Sequence, residues 1–267
     1  STRLRSEEGL AIGTDWFDLL EHVVARGVRL RLFLSDFDPV VGTELHGLTW
    51  RTVRQIAALS EIAGPEARVE VIPSLHPAEV GWAARIALWP RVDRLLRDKA
   101  ARVLHLDEPR RARFLEHHPH LSRLLMAGDR TGPRRWPLPP LSPVTHHQKL
   151  AAIDGRALYV GGLDLNERRW DGPDHDRPAE ETWHDVQVIV HDPDIARAAA
   201  THLAEVEDVI HLRAEPTDLD GRILRTISAK RRRGPLALSP KARLSEIGDA
   251  VIDGIRGSRQ LIYLETQ

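Results

Sequence analysis

The residues best suited to chemistry lie together at His146-His147-Gln148-Lys149-Leu150-Ala151-Ala152-Ile153-Asp154-Gly155. On a strand, residues two apart project from the same face, so His147 and Lys149 point together while Gln148 and Leu150 take the other side. An imidazole beside a fixed ammonium suits a site that grips and attacks a phosphate. The lysine neutralises phosphoryl oxygens, and the neutral imidazole supplies a nucleophile or proton carrier near neutral pH. A lysine in an otherwise apolar strand also calls for an anionic partner, because burying its charge alone is costly. His146 faces away from His147. Asp154 has the opposite parity and sits in an Asp-Gly turn, where it would cap a hairpin and hold the geometry of the site.

The elements that must position these residues alternate helix and strand. Trp16 to Arg26 is apolar at helical spacing, and Gly27 follows where a helix C-terminus favours a left-handed residue. Val28 to Leu34 reads as a strand, Thr52 to Ile62 as a helix ending at Gly64, and Arg68 to Ile72 as a second strand. The chain turns helical from Pro77 to about Leu125, and the proline-rich stretch from Gly132 to Pro143 reads as a loop. Gln148 to Ile153 and Ala157 to Val160 flank the Asp154-Gly155 turn, and Asp185 to Val190 is a further strand. A helix is expected from about Ile195 to Ile210, then a polar stretch from Arg213 to Pro240 containing Lys230-Arg231-Arg232-Arg233. A last helix, about Leu244 to Ile255, leads to a strand at Gln260 to Leu264. This order favours an α/β fold, a mixed sheet flanked by helices.

Composition narrows the function. The 267 residues carry 38 basic and 39 acidic side chains, which argues against holding nucleic acid by bulk positive charge. The absence of cysteine excludes a disulfide framework, a thiol nucleophile and a cysteine-ligated metal. There is no HExxH, no G-x-S-x-G elbow and no Gly-rich phosphate loop, so zinc hydrolase, serine hydrolase and NTPase chemistry all lack their signatures. No metal or cofactor is expected. No apolar run is long enough to span a bilayer, so the chain is expected to be soluble or peripheral to a membrane. Only four lysines stand among the 38 basic residues, an arginine excess read as GC-rich codon usage and a bacterial source.

His147-x-Lys149-x4-Asp154 resembles the HKD signature of the phospholipase D superfamily. Gly161-Gly162, Arg169-Trp170-Asp171 and Thr182-Trp183-His184-Asp185 follow in the order of the family's flanks. Leu224-Arg225-Thr226-Ile227 and Ile262-Tyr263-Leu264-Glu265-Thr266-Gln267 are similar to its linker and to the strand opening its second half. The resemblance implies an α-β-α sandwich forming one lobe of a bilobal phosphodiesterase that works through a phosphohistidine without a catalytic metal. It implies His147 as nucleophile, Lys149 as phosphate-binding lysine and Asp185 as the carboxylate orienting His147. Gly161, Gly162 and Asp164 would line the substrate. Asp164 stands where many members carry Asn, which puts that phosphate contact in doubt.

The family builds its site from two HKD copies, yet Lys149 is the only lysine here with a histidine two positions earlier. Residues 1–212 would then be the lobe with the first motif, carrying a helical insertion at about 77–125. Residues 213–267 would be linker, helix and the start of a second lobe whose HKD motif lies elsewhere. The implied partners are a phospholipid at a membrane or micelle surface and that second lobe, with no nucleic acid. Two alternatives stay open at this point: a nuclease-like phosphodiesterase of the same fold, and a non-catalytic half-site that binds or assembles. Lys230 to Arg233 reads as a solvated loop or a contact to anionic headgroups. Trp16, Trp50, Trp82, Trp89 and Trp136 include candidate interface residues that the sequence does not choose among.

Overall fold

The structure is a computed structural model that describes residues 2–263 except 128–129, 134–137, 163–169, 179, 183–185 and 232–233. It is mixed α/β. After a short helix α1 (Glu7–Leu10), α2 (Trp16–Ala25) opens with a capping box: the Asp15 side chain accepts from the Phe17 and Asp18 backbone, and Asp18 reaches back to Asp15 N–H. Gly27, at φ 82°, ends it as the spacing predicts. β1 (Leu30–Ser35) and β2 (Val69–Ser74) pair in parallel, Leu30 opposite Val69, with α3 (Thr43–Ile62) as the crossover that parallel strands need. The sequence predicts only the second half of α3. Its first half is interrupted in pattern by His46 and Gly47, and tertiary packing rather than an apolar stripe holds it.

The helical stretch divides into α4 (Trp82–Leu104), α5 (Glu108–His117) and α6 (Pro119–Leu125). Val92, Leu96, Val103, Leu121 and Leu125 form one buried core there with Val40, Val80 and Leu141 from neighbouring loops. Two short strands follow, β3 (Met126–Ala127) and β4 (Arg130–Thr131). A three-stranded antiparallel sheet is built from β5 (Leu150–Ile153), β6 (Ala157–Gly161) and β7 (Gln187–Val190), with β6 in the middle. α7 (Pro193–Ile210), capped by the Asp192 carboxylate and started by Pro193, packs on β5 and β6. Its far end joins Ile227 and Phe33 in a second small core.

Three readings need correcting. Arg213 to Pro240, read as a polar stretch, contains β8 (Thr226–Ala229), which pairs antiparallel with β9 (Lys241–Ser245). Only Ile227 and Ala229 of β8 are buried, so alternation over four residues is too short to stand out. The strand expected at Gln260 to Leu264 is not formed over its described part. After α8 (Glu246–Gly257), residues 260–263 run as coil with Leu261 and Tyr263 exposed, since a strand without a neighbour leaves its ladder groups unmade. The described strands also fall into four small sheets rather than one mixed sheet.

Candidate active site

His147 and Lys149 stand just before β5, which begins at Leu150 rather than at Gln148. The pairing nevertheless extends back to them, because Gly161 N–H donates to the Lys149 carbonyl at 3.2 Å. The side chains meet as the parity requires: Lys149 Nζ lies 2.7 Å from His147 Nε2. An ammonium has only donors, so Nε2 is the acceptor of this contact. His147 is exposed and Lys149 half-buried, so the pair sits at a surface that a substrate can reach.

Three sets of contacts fix this edge. Ser35 Oγ donates to the His146 carbonyl at 2.9 Å, and Thr145 Oγ1 donates to the Asp36 carbonyl at 2.8 Å, so the end of β1 clamps the chain before His147. Asp38 holds the next layer, accepting from Val40 and Val41 N–H with one oxygen and from Ser142 N–H with the other. On the opposite face, His202 Nε2 of α7 donates to Gln148 Oε1 at 2.7 Å. Ser35, Asp36 and Asp38 were not singled out in the sequence, although two aspartates directly after a strand are a signal for side-chain-to-backbone turns.

His146 points away from its neighbour, as parity demands. Its Nε2 contacts Ser74 Oγ at 3.2 Å, and its ring lies 5.5 Å from Phe33 and 5.0 Å from His76. Burial, helped by the nearby His76 and His211, pushes its pKa down to about 4. His76 is also lowered, chiefly by burial, and bonds Ser228 in β8.

A cavity of about 360 Å³ reaches His147 and Lys149 but is lined chiefly from the Gln148 face, by Gln148, Leu150, Leu158, Val160 and His202 with Leu224 among others. Arg225 closes one side. Its guanidinium is nearly buried and bonds both Glu246 oxygens, at 3.0 and 2.8 Å, Glu205 at 3.2 Å and the Thr217 carbonyl at 2.9 Å. That bonding holds the Glu246 carboxyl below its ordinary range and Arg225 above its own. The cluster ties α7, the 213–226 segment and α8 together behind the cavity.

The remaining expected residues are placed differently. Asp154 (φ 52°) and Gly155 (φ 61°) form the left-handed pair of a two-residue hairpin, closed by Arg156 N–H to the Ile153 carbonyl at 2.9 Å. Seven residues of strand put Asp154 roughly 20 Å from His147, at the far tip, where it shapes the turn. Gly161 serves close approach: a Cβ there would lie 2.6 Å from the Val186 carbonyl of the β7 edge. Gly162 is buried beside it. Asp164 and Asp185 lie outside the described residues. Trp170 carries the Arg5 guanidinium 4.2 Å above its ring, and the adjacent Asp171 bonds His175 at 2.7 Å.

A second polar cluster was not anticipated. Asp36, fully buried, bonds His46 Nδ1 at 2.7 Å and Trp50 Nε1 at 3.0 Å, with His120 Nε2 at 3.6 Å. His118 and His120 pack around His46, ring centroids 6.0 and 5.3 Å away, and Gly47 makes room for the His118 ring. Among the described residues, no group of three or more His, Asp or Glu side chains converges as a metal ion would require. Nor is any described helix long and apolar enough to cross a membrane. No family model matches this chain, and no curated protein or solved structure does either.

Proposed function

We propose that this chain is one catalytic half of a phospholipase D-type phosphodiesterase that hydrolyses glycerophospholipid headgroup esters or transfers the phosphatidyl group to another alcohol. The observation that carries the reading is the 2.7 Å contact between Lys149 Nζ and His147 Nε2 at an accessible edge. An arriving phosphodiester anion would draw the ammonium onto its non-bridging oxygens and so free the Nε2 lone pair beside the phosphorus. Nε2 then forms the N–P bond as the bond from phosphorus to the headgroup oxygen breaks. The leaving alkoxide needs a proton, and water or an alcohol must later displace His147. Both steps call for a second acid–base histidine, which in this reading a second HKD lobe supplies. The near balance of 38 basic and 39 acidic side chains favours a lipid diester over a nucleic-acid one.

A diester with a good leaving group tests the half-site alone, because nitrophenolate departs without an acid. With bis(p-nitrophenyl) phosphate, the chain should release a stoichiometric burst and carry a phosphoryl adduct on the His147 peptide after alkaline quenching. His147→Ala should show neither, and Lys149→Ala should slow the burst roughly a thousandfold. A wild-type chain with no burst and no adduct would overturn the assignment. Faster reaction with thymidine 5′-(p-nitrophenyl phosphate) than with a diacylglycerol nitrophenyl diester would move the substrate to nucleic acid.

A further inference from the structure

Of Trp16, Trp50, Trp82 and Trp89, only Trp82 is exposed, at 61% of its surface. It opens α4, and Ile86, one turn on along the same face, is 54% exposed. The loop between β8 and β9 lies against this helix start. Ala83 N–H donates to the Pro235 carbonyl at 3.0 Å and Gly81 N–H to the Ala237 carbonyl at 2.7 Å. The approach is so close that a Cβ on Gly81 would sit 2.2 Å from the Gly234 carbonyl. From that loop Leu236 and Leu238 project, 75% and 62% exposed. Two segments distant in sequence thus hold four large apolar side chains out into water in one place.

The rim of this patch is basic. The loop begins Lys230-Arg231-Arg232-Arg233 and has no acidic residue up to Pro240. Lys230 and Arg231 are exposed, Lys230 Nζ 3.8 Å from Glu79 and Arg231 donating to the Ser239 and Pro240 carbonyls. Glu79 is also faced by Arg85 at 3.7 Å, so its charge is already met. An exposed indole and leucines with an exposed lysine and arginine on the same loop match the headgroup boundary of an anionic bilayer. There aromatic and aliphatic groups enter the interface and cations meet lipid phosphates.

We propose that Trp82, Ile86, Leu236 and Leu238, backed by Lys230 and Arg231, form a docking surface for an anionic lipid bilayer. Contacts link the basic end of this surface to the residue before His147. The His146 ring lies 5.0 Å from that of His76, tilted to it, and His76 bonds Ser228 in β8, two residues before Lys230. The inference goes beyond the phosphodiesterase reading and does not require it.

Cosedimentation of the full chain with vesicles tests it, using phosphatidylcholine alone and phosphatidylcholine mixed with phosphatidylglycerol, at low and high salt. The chain should pellet with the mixed vesicles and be released by salt. Lys230→Gln with Arg231→Gln should weaken partitioning roughly 25-fold, about fivefold per charge. Trp82→Ala with Leu236→Ser should weaken it at least roughly tenfold. His147→Ala should bind as wild type does, which separates this surface from the nitrophenyl burst. Circular dichroism checks that the variants fold, and the two exposed glutamine replacements serve if the apolar pair does not. Absence of binding, equal binding to neutral vesicles, or unchanged binding in folded variants would overturn the proposal. So would a self-association of the wild-type chain that Trp82→Ala abolishes, since the patch would then face another protein.

Discussion

Acid should destabilise this protein through His146 in a measurable and separable way. In the unfolded chain an imidazole titrates near 6.5, whereas in the fold burial and the neighbouring histidines hold His146 at about 4. Between these values the unfolded state binds a proton that the folded state refuses, so stability falls as pH falls through that window. The full difference corresponds to about 3 kcal/mol, and about 2.5 kcal/mol of it is already lost near pH 4.5. His76, His118, His120 and His202 are lowered by burial too and add loss of the same sign. The His146 share must therefore be read as a difference. His146→Gln keeps a polar nitrogen near Ser74 Oγ but cannot titrate. Urea unfolding followed by circular dichroism, at about pH 7.5 and about pH 4.5, gives the stability of both proteins. Wild type should lead at the higher pH, and that lead should shrink by about 2.5 kcal/mol at the lower. A lead that stays constant within about 0.5 kcal/mol would mean that His146 does not hold off its proton in the fold, and the reasoning would fail.

Other consequences can be checked alongside. Arg225→Met leaves Glu205 and Glu246 facing each other without their cation and should cost about 3 kcal/mol in urea unfolding. Because Glu246 is depressed by Arg225, the wild-type advantage over this variant should be present above the ordinary carboxylate range and vanish as pH falls through the lowered value. Gly161→Ala drives a Cβ into the Val186 carbonyl and should loosen β7, read as faster amide exchange along Gln187–Val190. Asp154→Asn suits the left-handed turn and should leave stability within about 1 kcal/mol, with the nitrophenyl burst intact. Loss of the burst in that variant would give Asp154 a part in the chemistry that its position does not.

The pairing of His147 with Lys149 was legible because strand parity is a local property. Two residues apart on extended backbone share a face whatever the rest of the chain does, even with β5 starting one residue past Lys149. The Asp154-Gly155 turn and the ends of helices at Gly27 and Gly64 were legible for the same reason, since positive φ is written in residue type. What the sequence could not contain was distance. The clamp of Ser35 on the His146 carbonyl joins residues 111 apart, and the Asp36 carbonyl that takes Thr145 comes from the same strand end. No local pattern marks either. The cluster of His46, His118 and His120 around Asp36 was invisible because burial, not spacing, assembles it. The choice of Trp82 over Trp16, Trp50 and Trp89 followed from packing alone. A helix start and a distant loop meet through backbone bonds to Pro235 and Ala237, and that contact leaves four apolar side chains facing outward. Local stereochemistry thus determined which residues could act, and long-range packing decided where they stand and what surrounds them.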